Sequence, residues 1–457
     1  MAKRKVAIIG AGPAGLGAAY YFACNSSNLD VTVIDQGKII GERNCCKDCQ
    51  NHHCNPCYSL SGLGGAGGFT DGKLNFHPTV GGRLNQLGLS NLEANHLMDE
   101  IYHGMYESHA PVPFREVSVN LDEERKLLQR ADELGIRYIP LRQKHIGSDN
   151  LPTLMNNLFL NLVSKGIQFR FKTKVEDILL EGNTSYGIVT SFGQEHFDAV
   201  ILCPGRAGHE WVIQLAEKYN ITHKFNEVDI GIRVEIPESV YRDIVDVNYD
   251  PKFVIHLGEE RKVRTFCTNP KGFVVYERYP DIVGVNGHSF LNRFSSNTNF
   301  ALLNSTYVIP TEGENSYSYA KNLAKKITGA TNGRILLQKI GDLRSRKTSV
   351  PYFEKVIPSL TDVCLMDLNE FYPTDIVENL LCGLELLDRL VPGVNDKNNL
   401  VYAPEIKYRC MRVLVGDSLE SSVKNLYFAG DGAGLSGDLL HSSVTGWLAG
   451  KGVDNHG

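Results

Sequence analysis

Long runs of like charge, low-complexity segments and internal repeats are all missing from this chain of 457 residues. The lack of repeats excludes solenoid and propeller architectures, and the lack of biased segments leaves no stretch whose composition forbids a packed core. There is no basic surplus either. A net charge of −5 gives no electrostatic reason to expect nucleic acid or an anionic membrane surface as the main partner. No membrane span is read. With 42% apolar residues, 22% charged residues and 44 glycines, the composition is that of a soluble globular protein rich in tight turns. Its length accommodates two or three domains, because single cores stop growing near about 250–300 residues.

The start of the chain admits two readings. After "MAKRK" come nineteen uncharged residues, Val6 to Cys24, which superficially match the basic and apolar regions of an export signal. The glycines within them are ordered, however, and the segment leads into a strand ending at Asp35, as in a folded nucleotide-binding unit. With export set aside, eleven cysteines, an odd number, point to reduced thiols and a cytoplasmic location.

"KVAIIGAGPAGLGAAYYFA" is a short apolar strand, Val6 to Ile9, followed by Gly10, Gly12 and Gly15 around Pro13 and Ala14, and then by a helical pattern. Gly10 permits the tight turn, Gly12 lets the backbone approach a pyrophosphate, and Gly15 lets helix and strand pack closely. The pyrophosphate then sits on the helix N-terminus, and the Asp35 carboxylate is placed for the adenosine ribose. Gln36 and Arg43, just beyond Asp35, join the expected cofactor contacts. A lone glycine-rich turn has many structural uses; here strand, helix and acid agree.

"NLYFAGDGAGLSGDLLHSSVTGWLAGKG" places a strand, Leu426 to Ala429, before Gly430-Asp431 and a helix-like run from Leu439. It resembles the second FAD motif of the glutathione-reductase-type flavoproteins. By that resemblance Asp431 holds the ribityl chain or pyrophosphate, and Gly432, Gly434 and Leu435 lie along the isoalloxazine. Between the two motifs, "GIQFRFKTKVEDILLEGNTSYGIVTSFGQEHFDAVILCPGRAG" alternates short strands with turns. Flavoproteins of this class carry a strand meander there, with the strand near Val175 touching adenine and a glycine turn where Pro204-Gly205 stands. Three pieces in this order favour FAD over NAD. No second GxGxxG follows a strand, so no separate NAD(P)H domain is visible, although NAD(P)H can still reduce a flavin at its face.

At "GLGGAGGFTDGKLNF", "KHIGSDNLP", "DIGIRVEIP", "VRTFCTNPKGFVVYE", "VNGHSF", "NTNFALL" and "NLYFAGDGAGLSG" the sequence resembles a group of bacterial proteins labelled FAD-dependent dehydrogenases, over nearly its whole length. The resemblance implies an α/β fold: a discontinuous glutathione-reductase-like FAD-binding Rossmann domain with an inserted α+β substrate domain. The expected boundaries are 1–227 and 403–457 for the FAD domain and 228–402 for the inserted one. The label carries no single substrate. Gly65, Ala66 and Gly67 belong to the loop expected to approach the flavin. The family usually shows an arginine-glycine pair after "GDGAG"; here Ser436-Gly437-Asp438 stands, so Asp438 can replace a cation near flavin or substrate.

In the middle region "DIGIRVEI", "FVVYERY" and "STYVIP" read as strands, and "SYSYAKNLAKKITGA" and "TDIVENLLCGLELLDRLVPG" as helices. His145 and His288 are candidate proton acceptors beside the flavin, against the plainer reading of hydrogen-bonded loop histidines. Arg264 is a candidate carboxylate clamp, and the neighbouring Cys267 reads as a buried small residue. Asn286, Asn297 and Asn299 can orient a polar substrate or stabilise turns. Lys73 can stabilise negative charge at the flavin's pyrimidine edge, or be a solvated lysine.

Residues 45 to 57 pack five cysteines and two histidines into thirteen positions, including Cys46-x2-Cys49-x4-Cys54-x2-Cys57. Four thiolates suit a tetrahedral zinc ion, although the four-residue gap is short for a zinc ribbon. An iron–sulfur cluster, a redox pair working with the flavin, and free structural thiols are the other readings.

The expected function is FAD-dependent hydride transfer to or from a small polar substrate, by a dehydrogenase or an oxidase. An NAD(P)H-dependent reductase and a monooxygenase are the rivals. Halogenation is disfavoured, since neither Trp211 nor Trp447 lies in a WxWxIP-like segment. From another class comes a cofactor-free binding protein on the same fold, as in the Rab GDP-dissociation inhibitors, against which Asp35 and Gly430-Asp431 argue. The sequence leaves the oligomeric state open.

Overall fold

The first apolar run forms the strand Arg4–Ile9 at the centre of a five-stranded sheet in a computed structural model, which describes residues 3–26, 28–43, 56–116, 120–259, 261–308, 313–408 and 410–456. The sheet order is Leu426–Phe428, Ala199–Leu202, Arg4–Ile9, Leu29–Ile34, Gln168–Arg170, and every neighbouring pair is parallel. The central strands are near-continuous Val, Ile and Ala runs, as burial of both faces of a parallel sheet requires. On one face lie the helices Pro13–Asn25 and Leu439–Asn455, whose backbones touch: a Cβ added to Gly446 would stand 1.8 Å from the carbonyl oxygen of Ala14. Glycine is the residue that permits this approach. The antiparallel meander Val175–Glu181, Thr184–Thr190, Gly193–His196 completes the region between the sheet strands.

By its internal contacts the chain divides into two units, Met1–Arg115, Lys144–Phe225 and Met411–Gly457 in the first, Glu116–Gln143 and Asn226–Cys410 in the second. The second is built on an eight-stranded sheet running Val363–Leu365, Ile335–Lys339, Leu400–Lys407, Val228–Pro237, Asn297–Thr306, Lys262–Asn269, Lys252–His256, Ile136–Ile139. Its strands alternate. Ile230, Ile232, Val234 and Ile236 enter a core shared with Phe300, Leu302 and the helices Glu238–Val247, Ser316–Ala330 and Thr374–Leu390. The opposite face of the same strand carries Asp229, Arg233 and Glu235, of which the last two are fully buried. Of the segment "STYVIP", Ile309 and Pro310 lie outside the described residues. Its first residues are the tail of Asn297–Thr306, because the preceding residues pair with both Val228–Pro237 and Lys262–Asn269.

Candidate functional site

Three glycine turns leave the carboxyl ends of adjacent parallel strands and meet there. Gly10 follows Arg4–Ile9 with φ +109°, and a Cβ on it would lie 2.2 Å from the carbonyl oxygen of Cys203, which follows Ala199–Leu202. Gly205, two residues on, packs its backbone against Gly432. Gly430, after Leu426–Phe428, has φ +82° and faces the Ala14 methyl. This crevice outside the strand ends is where open α/β sheets bind nucleotides.

The Asp35 carboxylate is buried and shared by two backbone donors, Ala11 N–H at 2.8 Å and Gly37 N–H at 2.7 Å. It therefore shapes the Gly10–Gly12 turn as well as standing at the expected ribose position. The backbone around it ties in the meander: Asp35 accepts from Thr173 N–H at 3.0 Å, ahead of the buried Val175. Helix Pro13–Asn25 starts at Gly12 with Pro13 in its first turn and no side-chain cap, and a Cβ on Gly12 would meet only the Gly65 Cα, at 3.7 Å. Around Gly205 a Cβ would meet nothing within 4 Å. Uncapped N–H groups behind open backbone fit a pyrophosphate, so these residues suit the dinucleotide that the motif implies.

The glycine-rich loop lies over this turn. Gly64 N–H donates to Ala11 O at 2.8 Å, Gly65 sits on Gly12, Ala66 is half-buried, and Gly67 packs on the side chains of Pro13 and Leu439. Arg43 holds the loop: its Nε donates to Tyr58 O at 2.8 Å, its Nη2 to Gly65 O at 2.8 Å and its Nη1 to Leu63 O, with Phe69 under the guanidinium. Gln36 donates to Ser61 Oγ at 3.3 Å. Both residues thus brace protein groups beside the nucleotide turn.

At the third turn Asp431 is paired with Arg206 Nε at 3.3 Å, and the buried His209 donates from Nδ1 to Gly432 O at 3.0 Å. Burial pushes the His209 pKa down, so the ring acts as a neutral donor. Gly434 turns back against Met411 O, and Leu435 donates its N–H to Gly430 O at 3.2 Å. Sequence reading passes over Arg206 and His209; their only local signal is the position directly after Pro204-Gly205. Asp438, where the resemblance puts a cation, caps the helix Leu439–Asn455 by accepting from His441 N–H at 2.8 Å and lies 2.9 Å from the His441 ring.

Of the four catalytic candidates, Lys73 and His145 come together around Asp71. Lys73 Nζ pairs with Asp71 Oδ2 at 2.8 Å, and His145 Nε2 donates to Asp71 O at 2.8 Å. Both side chains are buried, so Lys73 is no solvated lysine. Burial pushes the His145 pKa down to about 4, against the opposing pull of Asp71. Arg264 and His288 lie in the second unit. Arg264 is paired with Asp229 at 2.6 Å, His288 ends the strand Val283–His288, and Cys267, read as buried, is only half-buried.

The fully buried Arg233 forms two bonds to Glu405, at 2.8 and 3.0 Å, and also donates to Asn299 at 2.9 Å, while Asn286 stands 3.5 Å away. Asn297 donates to Glu235 at 3.0 Å. Asn297 and Asn299 therefore serve buried polar networks. Of the cysteine-rich segment, Cys46, Cys49 and Cys54 lie outside the described residues; Cys57 is half-buried with its Sγ 3.1 Å from Ser59 Oγ. Among the described residues no group of His, Cys, Asp and Glu is placed to hold a metal, and no helix is long and apolar enough to cross a membrane.

Residues 229–408 match the family model described as FAD-dependent protein, C-terminal domain-like, and residues 8–49 match the NAD(P)-binding Rossmann-like domain. No curated protein matches the chain. Solved structures similar to it include glycine oxidase from Bacillus cereus, 10% identical, covering 100% of this chain and 96% of that one at a TM-score of 0.40. L-proline dehydrogenase from P. horikoshii is 11% identical, with 99% and 94% covered and a TM-score of 0.42.

Proposed function

We propose that this chain, an FAD-dependent oxidoreductase, moves a hydride between its flavin and a small polar substrate, acting as a dehydrogenase or an oxidase. The observation that carries the reading is the meeting of the Gly10, Gly205 and Gly430 turns at the ends of three adjacent parallel strands, with Asp35 buried behind the first.

Bound FAD supplies the hydride chemistry, which no protein side chain provides. The chain's own residues bind and orient. The uncapped N-terminus of Pro13–Asn25 takes the pyrophosphate, Asp35 the adenosine ribose, and Val175 the adenine. Pro204, Gly205, Asp431, Gly432, Gly434 and Leu435 line the flavin half, with Arg206 fixing the Asp431 carboxylate. Gly65, Ala66 and Gly67 close over the turn, held by Arg43. Lys73, fixed by Asp71, presents positive charge to developing negative charge, and the neutral His145 beside it accepts a proton. Arg264 and His288 remain the second unit's candidates for orienting substrate.

The cytoplasmic placement is read from eleven cysteines, an odd number that suits reduced thiols. The thiols of Cys46, Cys49, Cys54 and Cys57 form a zinc ligand set on spacing alone, tested by metal content with Cys49→Ser as control. Anaerobic bleaching of the purified yellow protein by a panel of small metabolites tests the main reading. A protein that stays colourless after addition of FAD sinks it.

A further inference from the structure

On one face of the second unit's sheet, three cations converge on a single ring. Lys252 Nζ, Arg264 Cζ and Lys407 Nζ lie 5.0, 5.1 and 5.2 Å from the centroid of Phe266. The strand register explains the meeting. Phe266 stands opposite Ala301, which stands opposite Arg233, and Arg264 stands opposite Leu303, which stands opposite Gly231. The neighbouring strand brings Glu405 against Gly231 and Lys407 against Asp229.

The cations have carboxylate partners, but too few. Lys252 pairs with Asp250 at 2.5 Å and Arg264 with Asp229 at 2.6 Å. Arg233 and Lys407 share one carboxylate, Glu405, at 2.8 and 2.6 Å. Burial alone would raise the Glu405 pKa, yet Arg233 and Lys407 outweigh it and hold it low, so Glu405 is ionised. The next carboxyl on that face, Glu235, is bonded to Tyr402, Asn297 and Ser359 instead of to these cations, and burial pushes its pKa up. Among the described residues these ion pairs set four cations against three carboxylates, an excess of one positive charge within the pairs themselves. Such an excess is costly without an anion.

Access is limited to one part of the cluster. The Arg233 side chain is 0% exposed, whereas the Lys407 side chain is 12% and the Arg264 side chain 22% exposed, with Phe266 half-buried between them. We infer that Lys407 and Arg264 form an anion subsite beside Phe266, which takes the carboxylate of a monoanionic substrate. This rests on the reading of the chain as a flavoenzyme and names the substrate class for it. One excess charge matches a monoanion; a phosphate dianion would leave the face negative.

The test is saturation-transfer NMR on the full-length holoprotein, with propanoate, its neutral counterpart propanamide, and inorganic phosphate as probes. Propanoate is expected to bind and to be displaced by neither of the others. Lys407→Met is expected to weaken propanoate by about tenfold, the loss of one charge-assisted contact, while Lys407→Arg restores it. Thermal melting of both variants separates this loss from unfolding. Equal signals from propanoate and propanamide, tighter binding of phosphate, or a folded Lys407→Met protein that binds propanoate as before would each overturn the assignment. Flavin absorbance of the same sample reports separately on the flavoenzyme reading, and binding of propanoate is read whether or not the flavin is there.

Discussion

Asp35 closes on the N–H of Ala11 at 2.8 Å, so the acid at the end of the second strand also fixes the turn that follows the first. Asp35→Ala should therefore lose FAD by two routes, the ribose contact and the shape of the turn. Removing a buried acceptor that serves two N–H donors costs about 1–3 kcal/mol for each donor left unpaired. The expected outcome is a protein purified with little flavin, read from the ratio of flavin to protein absorbance. Full retention of FAD would show that the carboxylate does neither job.

Gly446 and Ala14 are in backbone contact, leaving no room for a side chain. Gly446→Val should destabilise the first unit by about 3 kcal/mol through overpacking and lower FAD content with it. Urea unfolding followed by tryptophan fluorescence measures this, since Trp447 sits next to the substitution.

His145 carries a pH signature. Its pKa falls from 6.5 to about 4 on folding, so between those values the unfolded chain binds the proton and the folded chain does not. Stability from this group is complete above about pH 6.5 and is lost as pH falls toward about 4, amounting to about 3 kcal/mol. Denaturant melts across that window should show a shallower slope for His145→Gln than for the native protein. The groups acting on this ring are Asp71, Lys73 and Arg115, with burial the largest effect.

Glu405→Gln leaves Arg233 buried without its counter-charge and should cost about 3–5 kcal/mol. Replacing both partners, Arg233→Met with Glu405→Leu, should cost less than the single change. Thermal denaturation of the three proteins decides it, and an equal or larger loss in the double variant contradicts the account.

The nucleotide half of the site was legible because its information is local. Gly10, Gly12, Gly15 and Asp35 fall within one strand-turn-helix-strand unit, and the turn needs glycine at fixed positions. The helices Ser316–Ala330 and Thr374–Leu390 were equally readable from their apolar spacing and their stops. Arg206 and His209 were not, because each acts on a residue far along the chain; His209 reaches Gly432, 223 positions away. Arg43 shows the same limit from the other side. An arginine near a phosphate site reads as a ligand, and only the fold shows its donors bonded to the carbonyls of Tyr58, Leu63 and Gly65. The pairing of Ile136–Ile139 with Lys252–His256 is likewise a contact across more than a hundred positions that no local pattern announces.

The helix pair closed by Gly446 has a consequence for how the molecule comes into being. The turn at Gly10 leaves the ribosome long before its edge strand Leu426–Phe428 and its covering helix Leu439–Asn455, which lie far further along the chain. Contacts of such long range form late and slowly. Most of the second unit, Asn226–Cys410, emerges as an uninterrupted block in the interval and has its own core to collapse around. Cofactor loading must then follow synthesis of the second unit, and a chain stopped before Leu426 carries the dinucleotide signature without a place to put the dinucleotide.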